Sequence, residues 1–472
     1  MKKDYIQIAI QFAKLVKSTL GPKGMNKMVV SDADSKHLVI LTNDGATILN
    51  NVKSDNPITQ LFKNLAISQE EAVGDGTTSA VILAGELLEN ALDLLKKGVH
   101  QTTIINGYSI AMMECLNYLN KVKYKGDKLQ IIKTAFGSKI PKELANLLAN
   151  LLINEDVENL YFFQIPNSNP LETEIIKGFA FEGHTINDRL SREEEGNIAV
   201  LEIKSQMDFS KIQVNKAEEW EKAEKVDREY KKKIVNKLKE LNVKIVFLSD
   251  TNPELESFLT EAKIMTIPVW KRPNLDGICR ATGAIASSSP DNIKIGWGRV
   301  VYEKPEKIFI YNDKSEIKTL ILRGSTVQTL DETERAIHDV IGLLKLSNDC
   351  VVGAGSIEIR LSQHLREFAR QIGGKEQIAI QKFADSLEII PLTIAENAGL
   401  DAVEVLTHLK KLHSEGKVDY GVDIVKKVSN AKEKGIIEPV WVKVHMISSA
   451  TQVANLILKL DEVLIGEDEK KD

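Results

Sequence analysis

Cysteine is scarce in this chain: Cys115, Cys279 and Cys350 are odd in number and scattered, which excludes a disulfide framework and a thiolate zinc site. A reducing compartment fits that usage. Nowhere does an uninterrupted apolar run approach the ~18–20 residues of a membrane span. The opening stretch, MKKDYIQIAIQFAKLVKSTLG, has two lysines but neither a long apolar core nor a small-residue cleavage site, so a secretory leader is not expected. The expectation is a soluble, cytoplasmic protein. Excess positive charge is missing too. The 62 basic and 67 acidic residues leave a net charge of −5, which argues against a dedicated nucleic-acid binder. Also absent are the GxxxxGK(S/T) phosphate loop, the kinase motif set, the GxSxG nucleophile turn and the HExxH zinc helix.

What is present is size. The 472 residues, 43% of them hydrophobic, suffice for two to four packed domains. The first stretch reads as helical: Tyr5, Ile8, Ala9, Phe12, Leu15 and Val16 recur at helical spacing until Gly21-Pro22 stops them. A strand and turn follow at His37–Leu41, and another helix is expected from Thr78 to Leu95. The middle alternates strands and helices. Ile198–Ile203, Val243–Leu248, Ile267–Trp270 and Ile308–Tyr311 are strand-length apolar runs, and the Glu- and Lys-rich Glu218–Leu241 spaces its charges like an exposed helix. The last stretch is helical again: a helix through Ile357, Leu361, Leu365 and Phe368, more helix over Ile378–Leu412 with a break near Pro391, and a final helix over Thr451–Leu458. A strand pair, Gly421–Ile424 with Val440–Val444, is expected among them. Helical segments flanking an α/β middle predict one domain built from both chain ends, with the middle inserted into it.

Three glycine-punctuated turns could carry chemistry. Leu20-Gly21-Pro22-Lys23-Gly24 sets a lysine between glycines at a helix end, Asn43-Asp44-Gly45 is an acidic turn, and Gly74-Asp75-Gly76-Thr77-Thr78 opens directly into a helix. Glycines let backbone N–H groups converge on an anion, and the helix N-terminus adds partial positive charge. An aspartate would repel phosphate unless it held Mg²⁺, which favours few carboxylates, several waters and phosphate oxygens. Each turn also has a plainer reading, as a helix stop, a tight turn or, for Gly353-Ala354-Gly355, a close-packing turn before a helix.

Taken together and in order, STLGPKGMNKM, LTNDGATIL, AVGDGTTSAVILAGELL, LRGST with ETERAIHD, VVGAGSIEIRLS and EIIPLTIAENAGLD resemble the chaperonin family over essentially the whole chain, least between Leu144 and Glu195. RGST, ETERAIHD and room for a helical insertion after Ile203 point to the group II form. The resemblance implies a multidomain α and α/β fold. In it, a mostly helical equatorial domain comes from residues 1–130 and 353–472, and a small α/β intermediate domain from 131–181 and 317–352. An α/β apical domain, 182–316, is inserted with a helical protrusion over roughly 208–226. It implies an ATPase using ATP and Mg²⁺, one of several paralogous subunits in a hetero-oligomeric double ring, with eight per ring, that encloses unfolded clients. No nucleic-acid or membrane partner is implied.

Matched by position, Asp75 takes the metal role, while Gly76, Thr77, Thr78 and Ser79 line the phosphates. Leu20, Gly21, Pro22 and Lys23 lie over the nucleotide, with Gly45 beside it. Asp44 and Asp339 position or activate the attacking water, and Lys139 senses the γ-phosphate. Gly355, Asp423 and Glu438 attend the base and ribose. Client contact is implied for Met207, Phe209, Leu275 and Ile278, although Leu275 and Ile278 could equally pack on their own domain's core.

Two departures stand out: Val352 replaces a small residue or proline before the GAG turn, and the Leu144–Phe181 segment is short. Within the family, NKMVV, GYSIA, CRATGA and AENAGLDAVEVL lean toward the theta subunit of the eukaryotic cytosolic (CCT) chaperonin, whereas VVGAGSIEIRLSQHLREFARQIGGKEQ is similar to eta. The alternatives are a subunit that binds nucleotide but hydrolyses it weakly, and an unrelated phosphate-binding enzyme.

Overall fold

The computed structural model describes residues 2–33, 36–54, 56–137, 139–186, 192–202 and 217–461. It contains two compact units. One joins Met1–Asn154 to Gln328–Asp472; the other, Glu155–Val327, is inserted between those segments.

The N-terminal part of the discontinuous unit runs through helix α1 (Lys2–Lys17), hairpin β1 (Lys27–Ala33) and β2 (Lys36–Thr42), and helices α2 (Gly45–Asn51), α3 (Pro57–Val73), α4 (Thr77–Lys96) and α5 (Gln101–Val122). Strand β3 (Tyr124–Lys125), α6 (Lys128–Phe136) and α7 (Lys142–Leu152) complete it. On α1 the buried stripe is Ile6, Ala9, Ile10, Ala13 and Val16, with Phe12 alongside; Leu15, expected on that face, is exposed.

The inserted unit holds β4 (Leu160–Ile165), β5 (Glu174–Glu182), β6 (Glu193–Leu201), α8 (Ala217–Glu240), β7 (Val243–Leu248), α9 (Pro253–Glu261), β8 (Met265–Pro268), α10 (Arg272–Thr282), β9 (Gly296–Glu303), β10 (Lys307–Tyr311) and β11 (Lys318–Arg323). Its eight strands form one mixed sheet in the order β4-β11-β5-β10-β9-β6-β7-β8. The β6-β7-β8 edge is parallel, each crossover carrying a helix, as parallel pairing requires. Strands β4, β5 and β11, expected in the intermediate domain, are hydrogen-bonded into this sheet. The helix expected over Glu218–Leu241 is α8.

The chain returns through α11 (Val327–Leu344), β12 (Asp349–Val352), α12 (Ser356–Ile372), α13 (Glu376–Leu387), α14 (Ile389–Asn397) and α15 (Ala402–Ser414). It ends with hairpin β13 (Tyr420–Asp423) and β14 (Lys427–Asn430), strand β15 (Ile437–Pro439) and α16 (Val440–Lys459). Pro391 lies in the first turn of α14, where its missing N–H costs nothing. Val440–Val444 is helix, not the partner of Gly421–Ile424; β13 pairs with β14 instead. Alternation in VWVKV imitates a strand. The longer pattern Val440, Lys443, Met446, Ile447, Ala450, Thr451, Ala454, Ile457 and Leu458 is a helical stripe, buried throughout, and α16 spends it against α3, α4 and α5. Helices from both chain ends share one hydrophobic core, from Ile6 on α1 to Leu458 on α16. No helix among the described residues is long and apolar enough to cross a membrane.

Candidate functional site

The GDGTT segment forms a sharp link between α3 and α4. Gly74 closes α3 at φ 75° and Gly76 precedes α4 at φ 79°, the left-handed region that side chains disfavour. No side chain caps α4. Its backbone ladder begins with Ala80 N–H donating to the Gly76 carbonyl, so the N–H groups of Thr77, Thr78 and Ser79 open the helix toward a prospective anion. Space at the link is tight. A Cβ on Gly74 would fall 2.9 Å from the Asp339 carbonyl oxygen and 3.0 Å from the Gly342 Cα. Gly74→Ala should therefore cost more than Gly98→Ala, where φ is 83° but nothing lies within 4 Å. The strain alone is about 1–2 kcal/mol at either site. Only Gly74→Ala should also lower ATP turnover; thermal unfolding and ATPase rates measured in parallel check both.

Around this link the chain gathers three carboxylates and one lysine. Lys139 Nζ lies 2.6 Å from Asp339 Oδ2 and 3.8 Å from Asp75 Oδ1. Asp44 caps α2 through Oδ2, accepting from Thr47 N–H at 2.7 Å, and its Oδ1 accepts from Thr77 Oγ1 at 3.2 Å. Gly45 fits directly against Thr78, since a Cβ there would sit 2.7 Å from Thr78 Oγ1. Burial works against the Lys139 charge, but Asp339, Asp75 and Asp44 hold its ammonium above the usual lysine range. Burial pushes Asp339 up to about 7; Lys139 pulls it back, while Asp75 and Asp44 push it further. Three carboxylates sharing one lysine leave a negative surplus facing an uncapped helix N-terminus.

That surplus fits a dication whose remaining ligands arrive with phosphate. No cluster of three or more His, Cys, Asp or Glu able to hold a metal by themselves occurs among the described residues. One carboxylate, Asp75, with phosphate oxygens and waters, is the way Mg²⁺ is usually held beside a nucleotide.

The other expected contacts lie in the same discontinuous unit. Asn397 of α14 donates to the carbonyls of Lys17 (3.0 Å) and Leu20 (2.8 Å), fixing the turn of Leu20, Gly21, Pro22 and Lys23, and Gly21 packs on Ile394. Gly355 packs on Pro391, and Val422 N–H donates to the Ala354 carbonyl at 2.9 Å, so the GAG turn leans on α14 and β13. Val352 is buried in β12 opposite Ile437. Glu438 approaches Gly353 closely enough that a Cβ there would meet its carboxylate at 2.6 Å. Asp423 is held by local partners. Its Oδ1 accepts from Val425 and Lys426 N–H, its Oδ2 pairs with Lys434, and it is 6% exposed, so it holds the β13–β14 turn.

Four supporting residues escaped the sequence reading. Lys443 is buried between Glu358 (2.8 Å) and Glu438 (2.6 Å). Gln69 is buried against the Asp75 peptide, and half-buried His445 hydrogen-bonds to Gln69. Gln69, Lys443 and Glu358 each interrupt an apolar helical stripe, which is the signal that could have found them.

The client contacts fare differently. Met207 and Phe209, with residues 208–216 of the expected protrusion, lie outside the described residues. Leu275 and Ile278 are 3% and 0% exposed, facing the sheet from α10 with Phe179, Phe181 and Ile310, so neither is available to a client. The hydrophobic side of α10 is needed to cover its own sheet.

A helical unit made from both chain ends, an inserted α/β unit and an uncapped helix start beside a Lys139–Asp339 pair are the parts expected of a chaperonin subunit. The TCP-1/cpn60 chaperonin family profile matches residues 12–468, and the chain belongs to that family. Among curated relatives, the thermosome subunit of Methanopyrus kandleri is 32% identical over 504 residues, covering 99% of this chain and 92% of the relative. Thermosome subunit 1 of Haloferax volcanii is 34% identical over 490 residues, covering 97% and 87%. The thermosome beta subunit of Archaeoglobus fulgidus is 33% identical over 505 residues, covering 99% and 92%. The chain is thus a group II, thermosome-type chaperonin subunit: an ATPase using ATP with Mg²⁺, in a ring that folds client proteins.

Proposed function

We propose that this subunit hydrolyses ATP at the α3–α4 link, and that the Lys139–Asp339 pair, 2.6 Å apart beside Asp75, is what carries the reading. Phosphoryl transfer to water is chiefly positioning and charge neutralisation. Asp75 would hold Mg²⁺, which would supply charge neutralisation at the phosphates. The N–H groups of Thr77, Thr78 and Ser79 and the Thr78 hydroxyl cradle the phosphates. Lys139 supplies positive charge at the γ-phosphate. Asp44, locked by Thr47 and Thr77, orients the attacking water, and Asp339 accepts its proton; a carboxyl pushed up to about 7 is suited to that exchange near neutral pH. Leu20, Gly21, Pro22 and Lys23 cover the nucleotide, while Gly355 and Glu438 face the base and ribose.

Residues 131–154 with 328–352 would form the hinge domain bearing Lys139 and Asp339, so its movement would gate hydrolysis. The ring would be a hetero-oligomeric double ring of eight subunits per ring, in the cytoplasm. Within the family, NKMVV, GYSIA and CRATGA support a CCT-type subunit of the theta kind, with eta second. Single-turnover hydrolysis by the assembled particle tests the central reading. Loss of one subunit's share on mutating Asp75 in this chain alone supports it; an unchanged burst would show a subunit that binds nucleotide without hydrolysing it.

A further inference from the structure

Gln69 occupies a core position on α3, on the stripe of Phe62, Leu65, Ala66 and Val73, and is fully buried. A primary amide there must place two donor hydrogens and a carbonyl oxygen. Its Nε2 donates to the Asp75 carbonyl at 2.9 Å and the Val442 carbonyl at 3.3 Å. Its Oε1 accepts from His445 Nδ1 at 2.7 Å, which decides which end of the amide faces the link. One side chain therefore joins α3, the Asp75 peptide and the first turn of α16. The neighbouring backbone leaves it no slack: a Cβ on Gly76 would lie 2.9 Å from Val442 Cγ1 and 3.2 Å from Gln69 Nε2.

Asp75 sits between two left-handed glycines, outside the hydrogen-bond ladders of α3 and α4. Its carboxylate is steadied locally by Gly76 N–H, which donates to Oδ1 at 2.7 Å. Such a peptide needs an external anchor, and Gln69 holds its carbonyl. Leucine at position 69 would remove both donors and leave two carbonyls without that partner. Glutamate would keep the shape and the acceptor but offer no donor as a carboxylate and at most one O–H when protonated, so at least one carbonyl loses its partner.

We infer that Gln69 is a positioning residue for the metal carboxylate, oriented by His445, and that it ties the Asp75 loop to the start of α16. This rests on Asp75 as the Mg²⁺ carboxylate. The test titrates ATP hydrolysis by the assembled particle with Mg²⁺ at saturating ATP, and separately measures binding of a fluorescent ADP analogue in EDTA. Q69L and Q69E should each raise the Mg²⁺ needed for half-maximal turnover by about 10–100-fold, the range for outer-sphere partners of metal ligands. Metal-free nucleotide binding should stay at the wild-type level. H445A should shift the Mg²⁺ requirement in the same direction, and H445N, whose amide can replace the Nδ1 donor, should restore it. Should Q69L fail to assemble, Q69E decides. A wild-type Mg²⁺ requirement in Q69E would overturn the inference, as would equal loss of metal-free binding, which marks a structural role only. D75A separates the two layers: if it too leaves the Mg²⁺ requirement unchanged, the assignment of Asp75 fails rather than that of Gln69.

Discussion

Asp339→Ala should leave ATP bound and slow its hydrolysis by about 10²–10⁴-fold, the range for a positioned base. The expectation follows from where the carboxylate stands. Asp339 comes from α11, pairs with Lys139 at 2.6 Å and feels Asp75 and Asp44 across the same space, while the proposed phosphate cradle is backbone of α4. Removing Asp339 leaves that cradle intact. It also frees Lys139 from its closest partner, so affinity for the nucleotide anion should hold or rise. Asp339→Asn keeps the shape without the proton acceptor and should be nearly as slow. Equilibrium nucleotide binding and single-turnover hydrolysis on the same preparation separate the two effects. Near-normal turnover in Asp339→Ala would remove it from the chemistry.

The second large effect is on stability. Lys443→Met should destabilise the discontinuous unit by about 3–5 kcal/mol, because it strands two carboxylates that now share one buried cation. Glu358 is fully buried and Lys443 side-chain exposure is 4%, so water cannot replace the lost ammonium. Burial already raises the Glu438 carboxyl, with Lys443 opposing it. Without the lysine that rise grows. A carboxyl whose folded-state pKa is raised penalises folding above that pKa and ceases to do so once protonated. The deficit should therefore be largest at about pH 8 and shrink toward about pH 5. Glu358→Gln combined with Lys443→Met should recover part of the loss. Denaturant unfolding of wild type and variants across that range reads it, and a deficit independent of pH would contradict the account.

Much of the site is legible in the sequence because glycine placement is a backbone constraint. Gly74 and Gly76 bracket Asp75 where only left-handed φ closes the turn, and Asp44 precedes a helix it caps. The strands of the inserted unit show as apolar runs because a buried sheet edge needs them on both faces. Other features were illegible for identifiable reasons. VWVKV alternates like a strand until the stripe is followed to Leu458. For Leu275 and Ile278 the sequence leaves client contact and core packing equally open, and only the packed structure turns that face onto Phe179 and its neighbours. The parallel pairing of β4 with β11 within the inserted sheet joins segments over 150 residues apart in the chain, which no local pattern announces. Gln69, Glu358 and Lys443 carry a weak local signal, a polar side chain on an apolar stripe, and only the packed structure shows what each one holds.

The most direct measurement is the mass and shape of the native particle with and without ATP, by mass photometry and scattering. The account predicts a ring assembly many times the 52.6 kDa of one chain that becomes more compact with ATP and Mg²⁺, and stays open when Asp75 is replaced. A monomer or dimer, or a ring whose dimensions ignore ATP, would contradict it.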